Sequence, residues 1–167
     1  MRNLAPALAL ACAAAFAATA REAERPPARP SACREADATL AKARDLLAKK
    51  DYPAALAAVE AAKRGCPEPT SEYWRVHGDV LAGTKSWNDA VMQYHEALRL
   101  EPASAGAANG LARVFFVARR YEQARAVLRN AEAAGASVDS ELKRAIEEKL
   151  AKPGAGGDRA REPGVER

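Results

Sequence analysis

Apolar and small residues recur along the middle of the chain with the period of a helix, and the turns between helical stretches recur as well. Tyr52, Trp87 and Tyr121 stand 35 and 34 residues apart, and each is followed three residues later by alanine, at Ala55, Ala90 and Ala124. Seven residues beyond those come Ala62, Ala97 and Ala131, two helical turns further along the same face, with Val59, Tyr94 and Leu128 between them. Nine residues before each aromatic stands a small residue, Ala43, Gly78 or Ala112. Helix pairs that cross closely leave no room for a large side chain at the crossing, which accounts for that column.

Cap and stop residues divide the pattern into elements. The first helix is expected from near Cys33 to Lys49, and a second after Asp51, which serves as its N-cap with Pro53 in the first turn. Gly65 and Pro67 stop that helix. Ser71 and Ser86 are the expected caps of the next pair and Ser104 of the one after, whose last helix ends at Gly135. Asp139 or Ser140 begins a final amphipathic helix that presents Leu142, Ala145, Ile146 and Lys149 on successive turns.

Residues 71–104 place Trp74, Gly78, Leu81, Ala90, Tyr94, Ala97 and Pro102 at the spacings of a 34-residue helix-turn-helix unit. In this the chain resembles the tetratricopeptide repeat (TPR) family. The resemblance implies an all-α, TPR-like α-solenoid with three helix-turn-helix repeats at about 36–69, 71–104 and 105–138, plus a C-terminal capping helix at 139–150. The third copy departs from the family pattern at Ala108, Leu128 and Ala136. An alanine-faced hairpin buries little area alone, so stability is expected from stacking neighbours, and the last helix covers the open face of repeat three.

The segments around this 33–150 domain read differently. Residues 1–20 carry Arg2, an apolar run from Leu4 to Phe16 and small residues at Ala18 and Ala20, the pattern of a secretory signal peptide cut before Arg21. The alternative is a lipoprotein signal acylated at Cys12, preceded by Ala9, Leu10 and Ala11. Residues 21–32 are a proline-rich linker, and residues 151–167, rich in glycine, proline and charge, are expected to be a disordered tail.

Loss of the leader would remove Cys12 and leave Cys33 and Cys66, at the start and end of the first hairpin. The ends of an antiparallel helix pair are neighbours, and export favours oxidation, so a disulfide between them is expected. Two reduced, buried cysteines are the alternative.

Composition narrows the function classes. The chain is 49% apolar but has only 5% aromatic residues, and it lacks the alternating β-branched runs of a sheet. Setting aside Arg2 leaves 25 basic against 22 acidic side chains, with no basic stripe interleaved with aromatics, so nucleic acid is not an expected partner. His77 and His95 match no metal spacing, and nucleophile elbows, phosphate loops and paired-cysteine motifs are absent, so no enzyme, cofactor or metal is expected.

The resemblance implies instead protein or peptide binding in a concave groove lined by the first helix of each repeat. Carried over position by position, the groove holds Leu40, Arg44 and Leu47; Glu72, Arg75, Asp79 and Ala82; Asn109, Arg113 and Phe116; and Lys143 and Glu147. Arg44, Arg75, Arg113 and Lys143 hint at an anionic or C-terminal peptide ligand, the alternative being a merely solvated face. Leu40 and Val76 stand where the family's carboxylate clamp needs polar groups, so chaperone C-termini are not implied. Three repeats make a short groove suited to transient, micromolar binding. A membrane enters only if Cys12 is lipidated.

Overall fold

Helix follows helix because the alanine-rich face repeats every turn and every break carries a turn residue. The computed structural model describes residues 30–152, which form α1 (Ser31–Ala48), α2 (Tyr52–Gly65), α3 (Ser71–Gly83), α4 (Trp87–Leu100), α5 (Ala105–Val117), α6 (Tyr121–Ala133) and α7 (Ser140–Ala151). No strand occurs among the described residues. The proposed leader, Cys12 and its lipid, the linker up to residue 29 and the tail from residue 153 lie outside them.

The helices pair as hairpins, α1 with α2, α3 with α4 and α5 with α6. Successive hairpins then stack, α2 on α3, α4 on α5 and α6 on α7, while the first helices touch in series from α1 to α3, α5 and α7. That second set of contacts builds one continuous face from four helices.

The repeating columns form the core. Ala55, Ala90, Ala124, Val59, Tyr94, Leu128, Ala62, Ala97 and Ala131 are all buried, as are Ala43 and Ala112. Hairpins one and three pair a methyl group with a branched aliphatic at the crossing. Hairpin two carries a ring there and must give up the methyl. A Cβ on Gly78 would lie 2.8 Å from the Tyr94 ring, and one on Gly110 of the next hairpin 2.6 Å from the same ring. Tyr94 thus fills a slot between α3 and α5 that only two glycines leave open.

Ile146 of α7 is buried against the α5–α6 core, with Leu142 and Leu150 packed beside it. Arg144 and Glu148 on the same helix remain exposed. The last helix therefore has one dry side and one wet side, as the end of a stack requires.

Several ends differ from expectation. Thr70, not Ser71, caps α3: its side chain accepts from the Tyr73 N–H at 3.3 Å. Ser71 is already helical, and its hydroxyl donates to Glu101 at 2.8 Å. Ser86 and Ser104 hold the N-cap positions without a side-chain cap bond. Asp51 and Asp139 do cap, accepting from Ala54 and from Glu141 and Leu142 respectively. The first helix starts at Ser31, so Ser31 and Ala32 leave the linker, because no proline follows Pro30 to deny the helix its N–H groups.

The disulfide joins Cys33 near the start of α1 to Cys66 just beyond α2, and both residues are buried. Residues α1 and α2 share with the next hairpin include Tyr73, Val76 and Val80 of α3, which complete the first core cluster.

Candidate binding surface

The face made by α1, α3, α5 and the start of α7 carries a row of alternating charges. Arg44 on α1 donates to Glu72 on α3 at 3.1 Å. Glu72 also receives the Nε and Nη2 of Arg75, both at 2.6 Å, one turn along the same helix. Arg75 then donates its Nη1 to Asp79 at 2.5 Å, and the other oxygen of Asp79 accepts the Tyr94 hydroxyl at 2.7 Å. On α5, Arg113 donates to Asp139 at 2.8 Å, and Asn109 accepts the Asp139 backbone N–H at 3.0 Å.

Local sequence puts these groups in one line. Glu72, Arg75 and Asp79 are spaced by three and four residues, so they share one side of α3. Gly106 lets the row close on the next hairpin, since a Cβ there would lie 2.6 Å from the Arg75 Cδ. The stem of Arg75 lies against α5 where a side chain would otherwise stand.

Titration follows the same geometry. The Arg75 hydrogen bonds hold the Glu72 carboxyl below its ordinary range, against the opposing effect of partial burial. Burial pushes the Asp79 carboxyl up, opposed by the Tyr94 hydroxyl and by the charges of Arg75 and Arg113. Tyr94 is raised chiefly by burial and further by the Asp79 charge, so its phenol stays protonated and donates. The backbone N–H of Leu142, together with the Arg113 hydrogen bond, lowers Asp139.

Of the residues assigned to the groove from sequence, Arg44, Arg75, Asp79, Asn109 and Arg113 come together in this row. Phe116 lies further along α5, edge-on to Tyr121 at 5.4 Å between ring centres. Leu40 is buried in the first core cluster, because its position on α1 faces the α2 side of the hairpin. Lys143 joins a different neighbourhood: its ammonium pairs with Glu132 of α6 at 2.7 Å, beside Leu128 and Ile146. Glu147 approaches Arg125 of α6 at 3.9 Å. Both side chains belong to the α6–α7 seam.

Two participants carry no binding signal in the sequence. Asp139 reads as a helix cap and is one, yet it also anchors Arg113. Tyr94 reads as a core residue and is one, yet its hydroxyl reaches the row. The pair of glycines sixteen residues either side of Tyr94 was the available clue.

The histidines stand apart from the row. His77 packs edge-on to Tyr73 at 5.9 Å, and its Nδ1 is buried without a hydrogen-bond partner among the described residues. His95 borders a cavity of about 240 Å³ with Leu98, Leu111 and Val127, between α4 and α6. Among the described residues no group of three histidine, cysteine, aspartate or glutamate side chains is placed to hold a metal ion. No described helix is long and apolar enough to cross a membrane.

Three stacked helical hairpins with their first helices on a common face define a short α-solenoid. Residues 81–148 match the family model described as Tetratricopeptide repeat, and the fold of the chain is that of a TPR-like α-solenoid. Among solved structures it is similar to the TPR2B domain of yeast Sti1 in its pHsp70 complex, with 19% identity, a TM-score of 0.60, and coverage of 72% of this chain and 99% of that one. It is also similar to the TPR2AB domains of yeast Sti1 in their pHSP90 complex, with 21% identity, a TM-score of 0.57, and coverage of 86% of this chain and 55% of that one. At these identities the likeness is one of fold. No curated protein sequence matches the chain.

Proposed function

We propose that the protein is an exported interaction adaptor, and not an enzyme, that holds a protein or peptide segment along the face of α1, α3, α5 and the start of α7. The observation that carries this reading is the row from Arg44 to Asp139, which runs across α1, α3, α5 and the N-cap of α7 and leaves arginine donors facing outward. The Sti1 domains, whose structures are complexes with pHsp70 and pHSP90, support the same use of the fold. Leu40 and Val76 are buried where the carboxylate clamp would need polar groups, so the ligand differs from a clamped chaperone C-terminus. Its negative charge is part of the proposal.

Export rests on the leader-like residues 1–20 and agrees with a disulfide at Cys33 and Cys66. The periplasm is the compartment this reading assigns, with cleavage after Ala20. A second reading, a membrane-tethered subunit of an envelope assembly, draws on Cys12 and the residues before it. Intact mass separates the two. A chain beginning at Arg21 and two hydrogens light supports the first, and a diacylated chain beginning at Cys12 supports the second.

Binding is tested with a photo-crosslinking side chain placed singly at Ala82 or Asn109 on the proposed face, and at Met92, an exposed position on α4. A discrete adduct from the first two positions and none from Met92 is expected. The reverse pattern would move the partner to the other side of the stack.

A further inference from the structure

The three arginines of the row differ in how many of their donors are spent. Arg75 uses Nε, Nη1 and Nη2 on Glu72 and Asp79, and its side chain is only 20% exposed. Among the described residues Arg44 and Arg113 each donate a single hydrogen bond, and their side chains are 53% and 64% exposed. A guanidinium has five N–H donors in a planar fork, so both keep a free edge suited to a second carboxylate.

The acids of the row have less to offer. Glu72 already accepts three bonds from two arginines, Asp79 accepts one on each oxygen, and Asp139 accepts two backbone N–H groups as well as Arg113. An incoming cation would have to displace these bonds. An incoming carboxylate adds to donors that are unspent.

Resting on the adaptor reading above, we infer that the bound segment is an extended, acidic peptide stretch read at two points, by Arg44 and by Arg113, with Arg75 acting as an internal strut. Arg44 lies on α1 and Arg113 on α5, with α3 between them, so two helix spacings of about 8–10 Å separate the readers by roughly 16–20 Å. An extended chain covers about 3.3 Å per residue, and its side chains alternate between faces. A separation of six residues meets both conditions, because it spans about 20 Å and keeps both carboxylates on one face.

The test uses fluorescent twelve-residue peptides of glycine, serine and alanine with two glutamates six apart, two glutamates three apart, or glutamines at the six-apart positions. Anisotropy is read at 50 and 300 mM salt. The six-apart peptide is expected to bind at least tenfold more tightly than either of the others and to weaken at the higher salt. Arg44→Gln with Arg113→Gln is expected to bring it to the level of the glutamine control with an unchanged melting temperature. Equal binding of all three peptides, no binding, or undiminished binding by the double variant would overturn the inference. If photo-adducts still form at Ala82 and Asn109 in that case, the adaptor reading survives. If they do not, both fall.

Discussion

Tyr94 shows how one large side chain changes its surroundings. Hairpins one and three place Val59 and Leu128 at the equivalent position and tolerate alanine opposite, at Ala43 and Ala112. The Tyr94 ring has α3 on one side and α5 on the other, and a Cβ at Gly78 or Gly110 would come within 3 Å of it. Gly78→Ala is therefore expected to destabilise by about 1–3 kcal/mol, overpacking outweighing the better helix propensity of alanine. Adding Tyr94→Leu reproduces the pairing of hairpin three, and urea denaturation should show the double variant recovering part of the loss.

His77 supplies a pH dependence. Burial, and then the nearby Lys63 charge, hold its pKa below the ordinary 6.5, while Glu60 and Asp89 oppose them. Between the folded value and 6.5 the unfolded chain binds more protons than the folded one. The contribution of His77 is thus intact above pH 6.5 and is lost as pH falls through its folded pKa. The melting temperature is expected to fall more from pH 7.5 to 5.5 in the parent protein than in His77→Leu.

At the scale of the element, the turns inside the hairpins share one construction. Lys50, Lys85 and Arg119 adopt positive φ of 60°, 64° and 59°, and each follows the end of a first helix. In each turn the next residue donates back five positions, as Ser86 does to Leu81 at 2.9 Å, and the residue itself donates back three, as Lys85 does to Ala82 at 3.1 Å. This is the Schellman closure, usually completed by glycine, as Gly135 does after α6 with φ 93°. A basic side chain there sets favourable interaction with the helix C-terminus against left-handed strain. Lys85→Gly is expected to stabilise by about 0.5–1 kcal/mol, which thermal unfolding can check.

The disulfide acts on one hairpin. Closing a loop with a sequence separation of 33 contributes roughly 3–4 kcal/mol through the unfolded chain. Among the described residues the first hairpin has a stacking neighbour on one side only, so the effect should be local. Cys33→Ser with Cys66→Ser is expected to strip hydrogen-exchange protection from α1 and α2 while α4 to α6 keep theirs.

Among the described residues the core falls into two clusters, one of hairpin one with part of α3, the other of α4 to α7 with their neighbours. Trp74 packs against both. Lys63 lies over its ring at 5.6 Å, and Tyr73 meets it edge-on at 5.0 Å between centres. Repeat three has Ala108 at the matching position, so this bridge occurs at one seam. Trp74→Ala is expected to cost about 3 kcal/mol, the low end for such a truncation because the ring is only partly buried. Its second effect should be loss of cooperativity: the parent is expected to unfold in one urea transition and the variant in two, read by circular dichroism and by fluorescence of Trp87.

The sequence by itself determined the helices, their pairing and their stacking, because these depend on side-chain size at fixed spacings. Ala55, Ala90 and Ala124 could be placed in the core by counting, and Cys33 and Cys66 brought together by hairpin topology. Caps were less legible: Thr70 and Ser71 are adjacent and chemically alike, and only the path of the chain entering α3 selects between them. The candidate site was legible as a face but not as a set of roles. Arg44, Arg75, Arg113 and Lys143 are equivalent cations on a helical wheel. Tertiary structure decided that Arg75 is consumed by Glu72 and Asp79, that Lys143 turns to Glu132, and that Arg44 and Arg113 keep free donors. The physical reason is that a charged side chain's role depends on partners brought from other helices, whereas an alanine's place in a helix crossing depends chiefly on its own size and spacing.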